Sequence, residues 1–220
     1  MNFASRQDAG RRLGDFLRER CIVADLVLGL PRGGVVVGAE VARKLKLPLD
    51  VLVVRKIGHP LQPEFAVGAL AEPDAVFLNE KILRGFPVNP GRLEKIIAAE
   101  TARMTEYCKR FHLSKLPMLE GKTVLLVDDG LATGATAEAA AMSARKQNAR
   151  RIIVSAPVAS PEAVQCLREV ADDVEVLSED PDFQAVGQFY DEFPQTEDDE
   201  VILLLREAGD ALSPIHRVAQ

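Results

Sequence analysis

The chain has 220 residues, enough for one sizeable core and for a single domain with some decoration. Hydrophobic residues at 47% and charged residues at 27% lie in the ordinary globular range, which excludes a disordered, collagenous or membrane-embedded chain. A net charge of -6 excludes a broad nucleic-acid or anionic-membrane footprint, so any bound anion is expected to be small.

Residues 1–17 carry charges throughout without an apolar leader core, and no later stretch is long enough to span a bilayer; the expected location is cytoplasmic. Within that start, Ala9, Leu13, Phe16 and Leu17 recur at helical spacing and predict a covering helix. DLVLGL at 25–30 predicts a short strand, and Val36, Val37, Ala39, Val41 and Leu45 a helix packed on a sheet. DVLVVRK at 50–56 returns as a second strand, whose near-continuous apolar run fits a parallel sheet covered on both faces.

Prolines at 60, 63, 73, 87 and 90 mark 57–121 as an inserted arm: a mobile loop, a hairpin around AEPDA at 71–75, and a helix. That helix starts at Asn89 and Pro90, and Leu93, Ile96, Ile97, Met104, Tyr107, Cys108 and Phe111 form its apolar face. Strands at 123–129, 151–158 and 174–178 then alternate with helices at 135–147 and after Ser160 and Pro161, a doubly wound pattern. In the tail, 183–193 mixes aromatics with turn residues, and 196–208 predicts a helix capped by Thr196, with Glu197, Asp198 and Asp199 in its first turn. Cys21, Cys108 and Cys166 form no C-x-x-C pair and show no histidine at metal-ligand spacing; they are expected to be core thiols.

The chemistry concentrates where the apolar strand 124–127 runs into Asp128 and Asp129, then into the small-residue loop GLATGAT and an alanine-rich helix. Ligands of open α/β sheets settle at the carboxyl ends of strands, so these acids are expected to face a crevice. From Ala132 through Thr133, Gly134 and Ala135 to Thr136, backbone N–H groups and two hydroxyls converge at a helix N-terminus, an anion cradle. Two carboxylates one sugar width away accept hydrogen bonds from hydroxyls, so a ribose 5-phosphate fits; the alternative is that both acids only cap the helix. A Walker A loop is excluded because Val35 follows Gly34 and Ala135 follows Gly134, where lysine is required. Neither loop carries the dinucleotide G-x-G-x-x-G, and adjacent Asp128 and Asp129 do not form the D-x-D pair of haloacid-type phosphatases.

LPRGG at 30–34 joins the first strand to its helix and so is expected at the same sheet edge, offering backbone N–H groups and the Arg32 guanidinium. Arg55 and Lys56 close the second strand and face either the same crevice or solvent, with His59 next in the mobile loop. Glu64 and Glu72 are read as ordering the arm or a dimer contact.

Four apolar residues, two acids, two variable residues and then x-T-G-x-T resemble the ribose-phosphate signature of type I phosphoribosyltransferases, and the order of elements over 20–180 is similar to theirs. The resemblance implies a doubly wound, mainly parallel α/β sheet flanked by helices, one domain over 1–220, and a small hood from the terminal segments, 183–220 included. It implies transfer from 5-phosphoribosyl-1-pyrophosphate to a nitrogenous, base-like acceptor, with Asp128 and Asp129 on the ribose hydroxyls and 132–136 around the 5-phosphate. LPRGG is similar to the family's pyrophosphate loop, in which the peptide before a glycine takes a cis form; Arg32, Gly33, Gly34, Arg55 and Lys56 are then the pyrophosphate ligands, and Arg32, Arg55 and Lys56 the catalytic cations. Mg²⁺ carried by the substrate near Asp128 and Asp129, and a homodimer, are further implications.

The oxopurine branch places an aspartate where Ala132 stands, so hypoxanthine or guanine salvage is disfavoured. Ala132-Thr133-Gly134 is similar to adenine enzymes, but PRGG and the arm are not. LPRGGVVVGAEVA, VLVVRKIGHP and PEFAVGALAE together most resemble stand-alone bacterial phosphoribosyltransferase-domain proteins of unassigned acceptor. Phe183, Phe189 and Tyr190 are candidates for stacking on the acceptor ring. A non-catalytic sensor of the same donor and a phosphoribosyl hydrolase are the alternative functions.

Overall fold

Ser5, whose hydroxyl accepts from the Asp8 N–H, starts α1 (Arg6–Glu19). The structure, a computed structural model, describes residues 1–112 and 117–212, and at positions 63, 64, 81 and 212 the backbone alone. The side chain of Glu64 therefore lies outside the described residues. Chain order continues with β1 (Leu26–Gly29), α2 (Gly33–Leu45), β2 (Leu49–Val51), β3 (Val54–His59), β4 (Gln62–Ala71), β5 (Ala75–Leu78), α3 (Glu80–Gly85) and α4 (Pro90–Phe111). Then follow β6 (Thr123–Val127), α5 (Ala135–Lys146), β7 (Arg151–Ala159), α6 (Pro161–Leu167), β8 (Asp173–Glu179), a 3-10 turn (Val186–Phe189) and α7 (Asp198–Leu212).

Among the described residues, a five-stranded sheet runs β2-β1-β6-β7-β8 with every neighbour parallel. Side-chain alternation divides its core in two. Val27, Leu125, Val127 and Ile153 face a cluster with Leu13 and Leu17 of α1, Val37 and Val41 of α2, and Val201 and Leu205 of α7. Leu26, Leu28, Val124, Leu126, Ile152 and Val154 face Ala137, Ala140 and Ala144 of α5 and Val164 and Leu167 of α6. Burial of both faces explains the unbroken apolar runs of the central strands β1 and β6, every position of which is buried. The alanines of α5 let that helix lie close to the sheet.

The single strand expected over 50–56 is two strands. β2 ends at Val51, and β3 opens a separate antiparallel sheet, β3-β4-β5. At the break, Val53 leaves the parallel ladder and pairs with Glu72: its N–H donates to Glu72 Oε1 at 2.7 Å, and its carbonyl accepts the Glu72 N–H at 3.0 Å. An apolar run records burial, not which sheet receives it. The hairpin at 71–75 is the β4–β5 turn, closed by the Ala71–Ala75 pair. Asn89 caps α4 on the Arg92 N–H, with Pro90 in the first turn.

The cysteines are corrections. Cys21 and Cys166 are exposed and Cys108 is half-buried, because Cys21 follows the end of α1 and Cys166 lies on the outer side of α6. Cys108 does have a histidine partner, His112, one helical turn on. The final helix begins at Asp198, one residue later than a Thr196 cap implies, and Thr196 is buried ahead of it.

Candidate functional site

β1 pairs with β2 on one side and β6 on the other, while α2 and α5 cover opposite faces, so the crevice between the ends of β1 and β6 is the sheet's topological switch point. The loops after both strands meet there. Leu30 N–H donates to the Val127 carbonyl at 2.9 Å, carrying the ladder one residue past β1. The peptide between Pro31 and Arg32 is cis, one position ahead of the peptide that precedes Gly33. α2 then starts directly at Gly33.

Contact between the loops is tight enough to dictate residue type. A Cβ on Gly33 would stand 1.9 Å from Asp129 Oδ2, and one on Gly34 2.6 Å from the Val127 carbonyl oxygen and 2.9 Å from Asp128 Cα. Glycine is thus required on steric grounds at both positions. Asp128 Oδ1 accepts the Asp129 N–H at 2.9 Å. Asp129 Oδ2 accepts from Arg6 Nε at 2.7 Å, and this pair is nearly closed off, with side chains 10% and 14% exposed. Arg6 in turn donates to the Pro194 carbonyl at 2.6 Å and lies 3.7 Å above the Phe193 ring. Tyr190 Oη donates to the Asp129 carbonyl at 2.6 Å.

Burial, and then the neighbouring charge of Asp129, push the Asp128 carboxyl well above the usual carboxylate range. Burial also raises Asp129, against the pull of the Arg6 hydrogen bond. Burial holds the Tyr190 phenol protonated far above its ordinary range, so it remains a donor.

Past the acids, Ser160 Oγ donates to the Ala132 carbonyl at 2.7 Å and anchors the turn to α6. Gly134 adopts φ +74, a left-handed conformation suited to glycine, and α5 opens without a side-chain cap. Ala132, Thr133 and Thr136 are exposed around that helix N-terminus and Ala135 is half-buried, so the cradle is open to solvent.

The structure brings Arg32, Gly33, Gly34, Asp128, Asp129 and the turn 132–136 to the ends of β1 and β6. Arg55, Lys56 and His59 belong to β3, where they line a cleft of about 480 Å³ with Glu100 and Arg103 of α4. Arg55 Nε donates to Glu100 Oε2 at 2.6 Å, and its guanidinium lies 5.3 Å from the Tyr107 ring. Asp198 links the two regions: it pairs with Arg110 at the end of α4 and lies 3.7 Å from Arg32. Phe189 and Tyr190 are 4% and 6% exposed, packed on Phe183, Phe3 and Phe193. Both rings serve packing in this arrangement.

Sequence reasoning missed Arg6, Tyr190 as the clamp on the Asp129 carbonyl, and Asp198. Arg6 is 123 positions from Asp129 and belongs to no motif, so only the folded hood reveals the pairing.

A parallel sheet with a glycine loop, paired acids and an open helix N-terminus at its switch point defines a doubly wound α/β domain with a candidate ligand crevice at the carboxyl ends of β1 and β6. The phosphoribosyl transferase domain model matches residues 9–193. Two sequences from strains of Mycobacterium tuberculosis, each carrying the name "Putative phosphoribosyl transferase", are 41% identical over 208 residues, covering 94% of this chain and 47% of theirs. The crystal structure of TT1426 from Thermus thermophilus superposes with a TM-score of 0.80 at 41% identity, over 94% of this chain and 99% of that one. The chain belongs to the phosphoribosyl transferase domain family. It spans about half the length of the mycobacterial relatives it matches. No helix of the described residues is long and apolar enough to cross a membrane.

Proposed function

We propose that this chain moves the phosphoribosyl group of 5-phosphoribosyl-1-pyrophosphate to a nitrogenous acceptor and releases pyrophosphate. The observation that carries this reading is the meeting of the two loops, with Gly33 and Gly34 pressed against Asp129 and Asp128 beside the open N-terminus of α5. In this reading the N–H groups and hydroxyls of 132–136 hold the 5-phosphate, and Asp128 and Asp129 hold the ribose hydroxyls. Arg32 and the N-terminus of α2 receive the pyrophosphate, with Arg55 and Lys56 brought from the β3 cleft as the arm closes. Fixing the sugar keeps its anomeric carbon in line for the acceptor nitrogen, and the cations offset charge that grows on the leaving group. Arg6 keeps the Asp129 carboxylate aimed, and Ala132 supplies no general base, so the acceptor must lose its proton by another route.

Magnesium fits this site as a substrate-borne ion. One oxygen of each aspartate already carries a hydrogen bond, from the Asp129 N–H and from Arg6, which leaves too few donors for a protein-only cage. Bound with the donor, Mg²⁺ would neutralise pyrophosphate charge. A homodimer joined through the arm completes the proposal; Phe189 and Tyr190, buried against Phe3, Phe183 and Phe193, would shape the hood from behind and not stack on the acceptor.

A magnesium-dependent pyrophosphate-release assay over a panel of bases tests it; donor binding without turnover on any base would favour the sensor instead. Replacing Asp128→Asn together with Asp129→Asn should weaken donor binding by roughly 10²–10⁴-fold, since each charge-assisted hydrogen bond contributes about 1.5–3 kcal/mol and two are weakened. An unchanged dissociation constant would remove the acids from the site.

A further inference from the structure

Away from the crevice, Glu72 at the β4–β5 turn is buried with a side chain only 2% exposed. Its Oε1 accepts the Val53 N–H at 2.7 Å, while Oε2 lies 2.7 Å from His112 Nε2 and 3.0 Å from Cys108 Sγ. Cys108 and His112 are four residues apart, which puts both on one face at the C-terminal end of α4, where the helix dipole favours a cation. The three donor atoms all fall within 4.8 Å of one another. The other ring nitrogen, Nδ1, faces Asp50 Oδ1 at 3.5 Å, and the histidine side chain is 6% exposed.

We propose that Glu72, Cys108 and His112 form a zinc site, with Asp50 orienting the imidazole and the Val53 N–H orienting the glutamate. A carboxylate, an imidazole and a thiolate are the donors zinc takes at about 2.0–2.3 Å, with the fourth tetrahedral position left to water. Sulfur in the set argues against magnesium or calcium, which require oxygen. Asp50 stands behind the histidine at 3.5 Å, an ion-pair contact and not yet a hydrogen bond, and closing that gap would give the carboxylate–histidine–metal arrangement that fixes ring orientation. Tetrahedral zinc would set donor separations at roughly 3.3–3.7 Å, so the two contacts of Glu72 Oε2, at 2.7 and 3.0 Å, need to open by less than about 1 Å.

Charge balance favours the exchange. His112 lies between two carboxylates, 2.7 Å from Glu72 Oε2 and 3.5 Å from Asp50 Oδ1, a setting that favours the imidazolium when no metal is bound. Carboxylate, imidazolium and thiol sum to zero; so do Zn²⁺, carboxylate, neutral imidazole and thiolate. One ion therefore enters as two protons leave, from Cys108 Sγ and His112 Nε2, and the buried charge is unchanged. The Glu72 carbonyl also accepts from Ser143 Oγ of α5 at 2.5 Å and from Nε2 of Gln147, the C-cap of that helix, at 3.2 Å. The metal would thus fasten the arm to the helix whose N-terminus forms the cradle.

Titrating metal-free protein with Zn²⁺ in competition with a chromophoric chelator, in weakly buffered solution at neutral pH, should show one equivalent bound, two protons released and a raised Tm. Asp50→Asn should reduce affinity by roughly 10–100-fold, and Cys108→Ser by more. Changing the exposed Cys21 and Cys166 together to serine should leave it unchanged. The Co²⁺ form should show a thiolate-to-metal charge-transfer band that Cys108→Ser abolishes. Circular dichroism checks each fold, and Glu72→Gln, which keeps the Val53 contact, replaces Cys108→Ser if that variant does not fold. No binding by the parent protein, binding that survives the loss of Cys108 or Glu72, or binding lost with Cys21 and Cys166 would overturn the site.

Discussion

The crevice between β1 and β6 and the cleft between β3 and α4 both gather charged side chains, but they are built by opposite means. In the crevice the backbone forms the surface: glycines admit close approach, helix N-termini supply N–H groups, and Asp128 and Asp129 are fixed by the strand they end. In the cleft, Arg55 and Lys56 come from a strand and Glu100 and Arg103 from a helix, so the charges meet only once α4 has folded over β3. A surface made of backbone is rigid and local in sequence. One made of long side chains can rearrange around an incoming anion.

The arginines give the largest expected contrast. Arg6→Ala leaves the Asp129 carboxyl buried without its cation and should cost about 3 kcal/mol or more in denaturant unfolding. Arg55→Ala breaks a pair whose arginine is 26% exposed and should cost about 1 kcal/mol or less. Equal losses would erase the distinction between the two regions.

Gly33→Ala tests the close approach directly. Its Cβ would meet Asp129, and about 1–3 kcal/mol of stability should be lost, together with at least about tenfold in donor affinity. Gly85→Ala in the arm meets nothing within 4 Å and should be neutral or stabilising by about 0.4–1 kcal/mol. A stabilised Gly33→Ala protein would mean that the loops do not touch.

The Asp128 pair sharpens the comparison through pH. Both carboxyls are harder to ionise in the folded chain, so they favour folding while protonated, and that contribution is lost as pH rises through their raised folded values. Asp128→Asn should therefore raise Tm modestly at neutral pH while weakening donor binding, and the Tm difference should vanish below about pH 4. A lower Tm at neutral pH would show that the ionised acid stabilises the crevice.

Most of the sheet was legible because burial on both faces writes itself as apolar runs, and the caps at Ser160 and Asn89 bounded two helices. The departure of β3 was not legible, since the apolar run 51–54 crosses the break without interruption and only Glu72, distant in sequence, terminates the ladder at Val53. The tail showed its acids as a helix start, but not their contacts with Arg32 and Arg110.

By itself the sequence determined the parallel α/β core and the two loops at its switch point, because strand periodicity, glycine placement and adjacent acids act over a few residues. Tertiary structure alone decided that Arg6 and Tyr190 clamp Asp129, that Arg55 and Lys56 sit in a separate cleft, and that Glu72, Cys108 and His112 converge. Hydrogen bonds and ion pairs reach only about 3–4 Å, so partners far apart along the chain become partners only after the core has brought their elements together.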